Sequence, residues 1–276
     1  MAQRTAIEWT DVTWNPTTGC TPVSEGCDNC YAEALSHRLL KNAYSRALPV
    51  VDTVANRQNP FAVRIWRDRL SQPARWRERR LVFVNSMSDL FHVDVPESFV
   101  RSVFNVMVDV DRHTYQVLTK RPARAARFVR GARDLFGDAG LPEHIWIGAS
   151  TENQETVYRA RHLRHVPAAV RFLSCEPLLG PLSIGAELST GDIHWVIAGG
   201  ESGPKHRPMD DSWATDLRDE CVMFGVPFFF KQWGGRTPKS GGRELEGREW
   251  NEMPQMGCGS GHVRAPNGAT EAGRWQ

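Results

Sequence analysis

Residues 81–89 read L-V-F-V-N-S-M-S-D, from Leu81 to Asp89. Bulky apolar residues run together without alternation and then stop at Ser86, Ser88 and Asp89. A short strand that is apolar throughout suits a sheet covered on both faces, which is the habit of parallel sheets. The same unit recurs down the chain. Residues 114–118 lead into Thr119, Lys120 and Arg121, and residues 145–149 into Ser150, Thr151, Glu152 and Asn153. Residues 170–173 lead into Ser174, Cys175 and Glu176, and residues 194–198 into Gly199, Gly200, Glu201, Ser202 and Gly203. Residues 227–230 lead into Lys231, Gln232 and Trp233.

Amphipathic helices are predicted between these runs, over 96–108, 122–136, 153–166 and 211–224. Pro96 and Pro122 suit first-turn positions. Asp210 or Asp211 can cap the last helix and Gly225 can end it. Only 176–192 shows no clear helix. Residues 7–14 alternate bulky and polar residues and supply a seventh strand. Strands alternating with helices predict an α/β fold with a parallel sheet, as a full or partial β/α (TIM-like) barrel of about seven strands. A doubly wound open sheet is the alternative. The expected division is one barrel domain over 1–256 and a flexible glycine-rich tail over 257–276, which carries Cys258 as a stray ligand candidate.

The first strand runs into residues 14–31, W-N-P-T-T-G-C-T-P-V-S-E-G-C-D-N-C-Y. Pro16, Gly19, Pro22 and Gly26 break regular structure, so Cys20, Cys27 and Cys30 are expected on one loop. The chain carries a net charge of only +2, so it is not a polycation that demands an anionic partner. No apolar run reaches the ~18–20 residues of a membrane span, and residues 1–11 lack a secretory signal's apolar core. A cytoplasmic protein is expected, and clustered thiols in a reducing compartment point to metal binding or catalysis rather than disulfides.

Three thiolates are one short of a structural zinc shell, for which His37 is the candidate fourth ligand. An iron–sulfur cubane takes one thiolate per iron, so three leave one iron open to a small molecule. That arrangement serves the splitting of S-adenosylmethionine, so a 4Fe–4S cluster and S-adenosylmethionine are the expected cofactors. In a parallel barrel all of these strand-end groups lie at the C-terminal mouth. Lys120, Glu152, Glu176 and Lys231 are the catalytic candidates there. Gly199, Gly200, Glu201 and Ser202 form a glycine-rich turn whose free N–H groups suit an anionic ligand. Ser150 joins the cofactor-facing set. Cys175 reads as a thiol that is reactive or simply buried, and Cys221 as core.

Two basic features allow a second function, a zinc-loop protein that grips nucleic acid. Seven arginines fall between Arg64 and Arg80, and Arg121, Arg124, Arg127 and Arg130 recur every three residues. The plainer expectation for the first set is solvated helix faces paired with Asp68 and Glu78. His162 and His165, with Arg159, Arg161 and Arg164, are expected on a solvated helix face. A third function is a non-redox barrel hydrolase or nuclease built on Asp89, Glu152, Glu176 and Lys231.

Seven segments carry a resemblance: W-N-P-T-T-G-C-T-P-V-S-E-G-C-D-N-C-Y-A, F-V-N-S-M-S-D-L-F-H, L-T-K-R-P, W-I-G-A-S-T-E-N, L-S-C-E-P-L-L-G-P, I-A-G-G-E-S-G and F-F-K-Q-W-G. In order, over about residues 7–256, they resemble a phage-associated family of unassigned function found in actinobacteriophages and bacterial genomes. That family is similar to radical S-adenosylmethionine proteins and often neighbours a three-Cys-motif partner protein. The resemblance implies a barrel, a 4Fe–4S cluster and S-adenosylmethionine, and leaves open a substrate such as a nucleobase or nucleic acid. It implies that Ser88 and Asp89 receive the methionine amino group, with Ser86 beside them in the cofactor-binding set, and that Gly199 to Ser202 touch adenine. The first cysteine gap, six residues, is wider than the usual three. Asn29 stands where an aromatic is usual, and Tyr31 follows the last thiol instead.

Overall fold

The computed structural model describes residues 5–237 and 239–255. The tail expectation and Cys258 lie outside the described residues. Seven strands form one sheet, β1 (Val12–Trp14), β2 (Leu81–Val84), β3 (Thr114–Thr119), β4 (Ile145–Ser150), β5 (Arg171–Cys175), β6 (Trp195–Gly199) and β7 (Phe228–Gln232). They lie side by side in chain order and every pair is parallel. The sheet curls but β1 and β7 do not pair, so the fold is a partial β/α barrel. Residues 250–252 run along the open edge of β7, where Phe230 N–H donates to Trp250 O at 2.9 Å and Glu252 N–H to Phe228 O at 3.1 Å. That cover keeps the edge from pairing with another chain.

Alternate residues of each strand face opposite ways. Val82, Val84, Ile145, Ile147, Leu173, Val196, Phe228 and Phe230 pack outward with the helices in the main core. The main helices are α1 (Tyr31–Arg38), α2 (Glu97–Asp109), α3 (Pro122–Gly131), α4 (Tyr158–Leu163) and α5 (Asp211–Phe224). Phe83, Trp146, Phe172, Trp195, Ile197 and Phe229 face the other way and, with Trp9, form a second apolar cluster in the barrel interior. Trp9 meets Phe83 edge-on at 4.6 Å between centroids. Most of these residues come from the early part of their strands, so the interior is plugged by aromatic rings at its N-terminal end. Gly148 belongs to this packing, because a Cβ there would lie 2.4 Å from the Phe172 ring.

Helix ends follow the predicted chemistry. Asp210 caps α5 by accepting from Ser212 N–H at 2.8 Å, and Gly225 ends it at φ 64°. Pro122 opens α3 in its first turn, as expected, whereas Pro96 stands one place earlier, at the N-cap of α2. Two predicted helices are broken. The one over 122–136 stops at Ala132 and resumes as Arg133–Phe136. The one over 153–166 begins as a separate tight turn, Gln154–Thr156, because Asn153 and Thr156 cap each other before α4 starts. Residues 176–192 do carry one short helix, Gly185–Leu188. Residues 7–10 form a turn that tucks Trp9 inward rather than extending β1. The two-stranded pairs Thr17–Thr18 with Arg64–Ile65, and Glu244–Leu245 with Arg248–Glu249, are too short for any periodicity to announce them.

The arginine-rich segment is not a uniform solvated face. Arg64 is fully buried and donates to the carbonyls of Ala47 at 2.9 Å, Asn59 at 3.0 Å and Ala62 at 2.9 Å. It ties down the irregular stretch between α1 and β2. Arg69 stacks 4.2 Å over Trp66 and donates to Asn15 O at 2.9 Å. The arginine stripe on α3 also divides. Arg124 donates to Val95 O at 2.8 Å and to the carbonyls of Phe91 and His92, while Arg127 and Arg130 are exposed. Among the described residues no helix is long and apolar enough to cross a membrane.

Candidate active site

The cysteine loop leaves β1 at the C-terminal end of the sheet and is pinned there by successive strand ends. Gly19 takes φ +84°, and a Cβ on it would lie 2.2 Å from Ala62 O. Its N–H donates to Met87 O at 3.0 Å, beyond β2. Thr21 Oγ1 lies 2.8 Å from His92 Nε2. His92 Nδ1 accepts from Asp94 N–H at 3.1 Å, which places the ring proton on Nε2, so the imidazole donates to Thr21. Burial holds His92 below the usual histidine range, in keeping with a neutral ring. Ser24 Oγ donates to Glu152 Oε1 at 3.1 Å, beyond β4, and a Cβ on Gly26 would lie 2.5 Å from the same side chain. Asn29 Nδ2 donates to Glu201 Oε2 at 2.9 Å, beyond β6. Tyr31 Oη donates to Ser86 O at 2.6 Å.

The three thiols are free and half-buried. Cys20 and Cys30 rest on an apolar patch of Ala32, Phe61 and Met87. Burial pushes the Cys20 thiol up to about 11; the Asp89 carboxylate adds to the rise and Arg121 opposes it. Burial also raises Cys30, at the N-cap of α1, against the amides of Glu33 and Ala32. Cys30 N–H donates to Cys27 O at 3.2 Å, so a tight turn joins the last two thiols beside that patch. Among the described residues no three His, Cys, Asp or Glu side chains are gathered as one metal ion requires. A tetrahedral ion with Zn–S bonds near 2.3 Å draws its thiolates to within about 4 Å of one another. A cubane puts each thiolate on a separate iron and accepts a wider spacing. Three thiols on one loop match the one-thiolate-per-iron habit of a cluster, and a cluster's charge would reverse the cost that burial places on the thiolates.

Every charged strand-end residue singled out in the sequence has a partner. Glu152 is fully buried and receives Lys120 Nζ, Ser24 Oγ and Arg159 Nη1, the last at 2.9 and 3.1 Å. Burial pushes its carboxyl up, but Lys120 and Arg159 outweigh that and hold it below the usual range. Arg159 is thus not on a solvated face: it is completely buried, with Nη1 also donating to Ser150 O at 3.1 Å. Its neighbours Arg161 and Arg164 pair with Glu187 and Asp192 at 3.0 Å each. Glu201 is buried and receives Arg207 Nη2 at 2.6 Å as well as Asn29, while Arg207 Nη2 donates to Glu25 O at 2.9 Å. Glu152 and Glu201 are therefore two posts to which the loop is tied.

Asp89 is also saturated. It receives the Thr119 hydroxyl at 2.7 Å, Phe91 N–H at 2.9 Å, Lys120 N–H at 3.0 Å and Arg121 Nη1 at 2.9 Å. Ser86 and Ser88 stay half-exposed; Ser88 Oγ donates to Thr17 O at 3.0 Å, and Ser86 Oγ accepts from Asn15 Nδ2 at 3.0 Å. Glu176 and Lys231 form an ion pair of a different kind. Their side chains are 20% and 17% exposed, and Lys231 Nζ is the single hydrogen-bond donor to the Glu176 carboxylate among the described residues. They flank Gly199, whose missing Cβ would lie 3.4 Å from Lys231 Cβ and 3.6 Å from Glu176 Cδ. Strand alternation turns Ser150, Glu176, Gly199 and Lys231 to the interior side, above the aromatic plug.

The glycine-rich turn is not an open cradle. Gly200 N–H donates to Gln232 O at 2.8 Å and Gly203 N–H to Gly235 O at 2.9 Å. A Cβ on Gly200 would lie 2.0 Å from Trp233 O, so the glycines let two strand-end loops meet backbone to backbone. Ser202 Oγ accepts from Gln232 Nε2 at 2.7 Å. Cys175 and Cys221 are both core, and burial raises both thiols far above the usual range. Sequence reasoning missed Thr21, Ser24, His92 and Arg207 and gave Asn29, Arg121 and Arg159 other roles; six of these tether the loop, and Arg159 holds the Glu152 to which it is tied. Their partners lie up to 182 residues away, a distance no local pattern signals.

Similar folds appear among solved structures. Spore photoproduct lyase complexed with dinucleoside spore photoproduct has a TM-score of 0.51 and 12% identity, over 83% of this chain and 79% of that one. A cysteine-to-serine mutant of that lyase gives 0.52 at 12% identity over 83% and 79%. A tyrosine-to-phenylalanine mutant gives 0.51 at 10% over 83% and 78%. At these identities the likeness is one of fold. No sequence among curated proteins matches. A family model matches residues 4–254, nearly the whole of the described chain, and the protein belongs to that family, described as a protein of unknown function (DUF5131).

Proposed function

We propose that this protein is an iron–sulfur enzyme of the radical S-adenosylmethionine type. One observation carries the reading: a three-thiol loop is held at the C-terminal mouth of a partial parallel barrel, tied to successive strand ends, with Cys20 and Cys30 seated on one apolar patch. Cys20, Cys27 and Cys30 would hold a 4Fe–4S cluster and leave one iron open. Such a group, when bound, supplies the electron that splits S-adenosylmethionine.

The chain's own residues then divide the remaining work. Ser86, Ser88 and Ser150 offer hydroxyls near the loop to the methionine and ribose parts of the cofactor. Gly199 gives a flat interior surface on which a planar ring can lie. Glu176 and Lys231 present one carboxylate and one ammonium to whatever enters, and serve as acid and base toward the substrate. Lys120, Glu152 and Glu201 act through the loop, by fixing it. The aromatic plug closes the far end and keeps water from entering by that route. A nucleobase or nucleic acid is the substrate class, supported by the fold likeness to a lyase solved with a dinucleoside photoproduct. The reducing cytoplasm is the compartment in which such thiols persist.

The test is anaerobic reconstitution with iron and sulfide, followed by reduction in the presence of S-adenosylmethionine. The expected result is a brown protein with about four irons per chain that releases 5′-deoxyadenosine. Fully loaded protein that releases none overturns the proposal.

A further inference from the structure

Arg121 stands at the N-cap of α3, directly after β3 and Lys120. Its guanidinium has three kinds of partner. Nη1 donates to Asp89 Oδ2 at 2.9 Å and to Cys20 Sγ at 3.5 Å, while Nη2 donates to Thr21 O at 3.1 Å. Asp89 cannot swing away, because the Thr119 hydroxyl and the amides of Phe91 and Lys120 occupy its remaining lone pairs. The cation is therefore fixed from one side by a saturated carboxylate and presented to a single sulfur on the other. Among the described residues no other cationic side chain donates to a loop thiol. The arrangement treats Cys20 differently from Cys27 and Cys30.

We propose that Arg121, clamped by Asp89, is a positioning residue that raises the reduction potential of the metal centre by donating to the Cys20 thiolate. The proposal rests on the iron–sulfur reading above. Adding one electron to a thiolate-ligated cluster adds negative charge, and a fixed N–H donor carrying a positive charge at a ligand sulfur favours the reduced form. Arg is suited to this role because its planar fork can serve Asp89, Cys20 and Thr21 together. No bond forms or breaks in the step. One electron passes from a low-potential reductant, dithionite in the test, to the cluster. Low-potential clusters are hard to fill, so a device that eases reduction at one ligand bears on how readily the enzyme starts a turnover.

The experiment compares reconstituted wild type with Arg121→Gln and Arg121→Met in anaerobic potentiometric titrations read by electron paramagnetic resonance, with iron content measured on each sample. Removal of the cation should lower the ratio of reduced to oxidised cluster about tenfold at a given solution potential, which is ~59 mV for a one-electron couple. Arg121→Lys keeps the charge but not the fork and should recover part of the difference. A merely structural role for Arg121 would change iron content and leave the midpoint alone. Neutral variants that load fully and titrate with the wild type overturn the proposal. So does the failure of both neutral variants to take up iron while the wild type does, since Arg121 would then be an element of the fold. If the wild type itself binds no cluster, the functional reading falls instead, and iron content alone reveals it.

Discussion

Two carboxylates at the same mouth of the barrel show opposite designs. Glu152 has a side-chain exposure of 1% and accepts from Lys120, Arg159 and Ser24. Glu176 is 20% exposed, and Lys231 is its one hydrogen-bond partner among the described residues. Both looked alike in sequence, a glutamate just past a strand. A buried carboxylate with several donors is held in one state and one place, which suits an anchor. A half-open carboxylate with a single mobile donor can exchange that donor for a ligand, which suits chemistry. The cysteine loop makes the same point, since it leans on Glu152 and Glu201 and not on Glu176.

The contrast breaks first on truncation. Glu152→Ala leaves Lys120 and Arg159 without their counter-charge in a buried place and should cost about 3–5 kcal/mol. The check is the shift in the urea midpoint at constant slope. A cost below about 1 kcal/mol would mean that Glu152 is no anchor. Next in size is Glu176→Gln, which should leave the unfolding free energy from urea melts within about 1 kcal/mol of wild type while lowering turnover by roughly 10²-fold or more. A variant that loses stability and keeps its rate would reverse the assignment.

The Glu152 carboxyl is held below its ordinary range in the folded protein, so its pairing contributes fully above the unfolded carboxylate value. That contribution fades as pH falls from the ordinary carboxylate range through the lower folded value. Glu152→Gln should therefore flatten the acid limb of a stability–pH curve measured by urea melts. An unchanged limb would show that other carboxylates set it. The smallest effect is expected at Cys27. With the loop already tied by Ser24, Asn29 and Thr21, the metal-free protein should lose no more than about 0.5 kcal/mol on Cys27→Ser, while iron uptake falls sharply. A large loss of metal-free stability would mean that the loop is not preorganised.

The strand count, the parallel order and the C-terminal placement of polar groups were all legible in the chain. Six strands announce themselves by largely apolar runs of four or five residues that end in polar ones, while β1 shows only as the end of an alternating stretch over 7–14, of which Val12–Trp14 is strand. The loop position of the three thiols was equally plain from Pro16, Gly19, Pro22 and Gly26. The glycine-rich turn after β6 was misread, because glycines that admit a ligand and glycines that admit another backbone have the same sequence. Gly200 belongs to the second kind, packed against Trp233 O. Arg159 and Arg64 were misread for a related reason. Arginine is ordinarily a surface residue, and only the enclosed carbonyls and carboxylate around these two make burial tolerable.

By itself, then, the order of residues determined the parallel β/α succession, the loop and the end of the molecule where polar strand ends gather. These follow from hydrophobic periodicity and from the conformational limits of proline and glycine, which act within a few residues. Tertiary structure alone decided which charged groups anchor and which remain available. That choice depends on burial and on donors contributed by distant segments: Ser24 meeting Glu152, Asn29 meeting Glu201, and Arg121 meeting Cys20. Electrostatic roles are set by surroundings, and surroundings exist only once the chain has closed on itself.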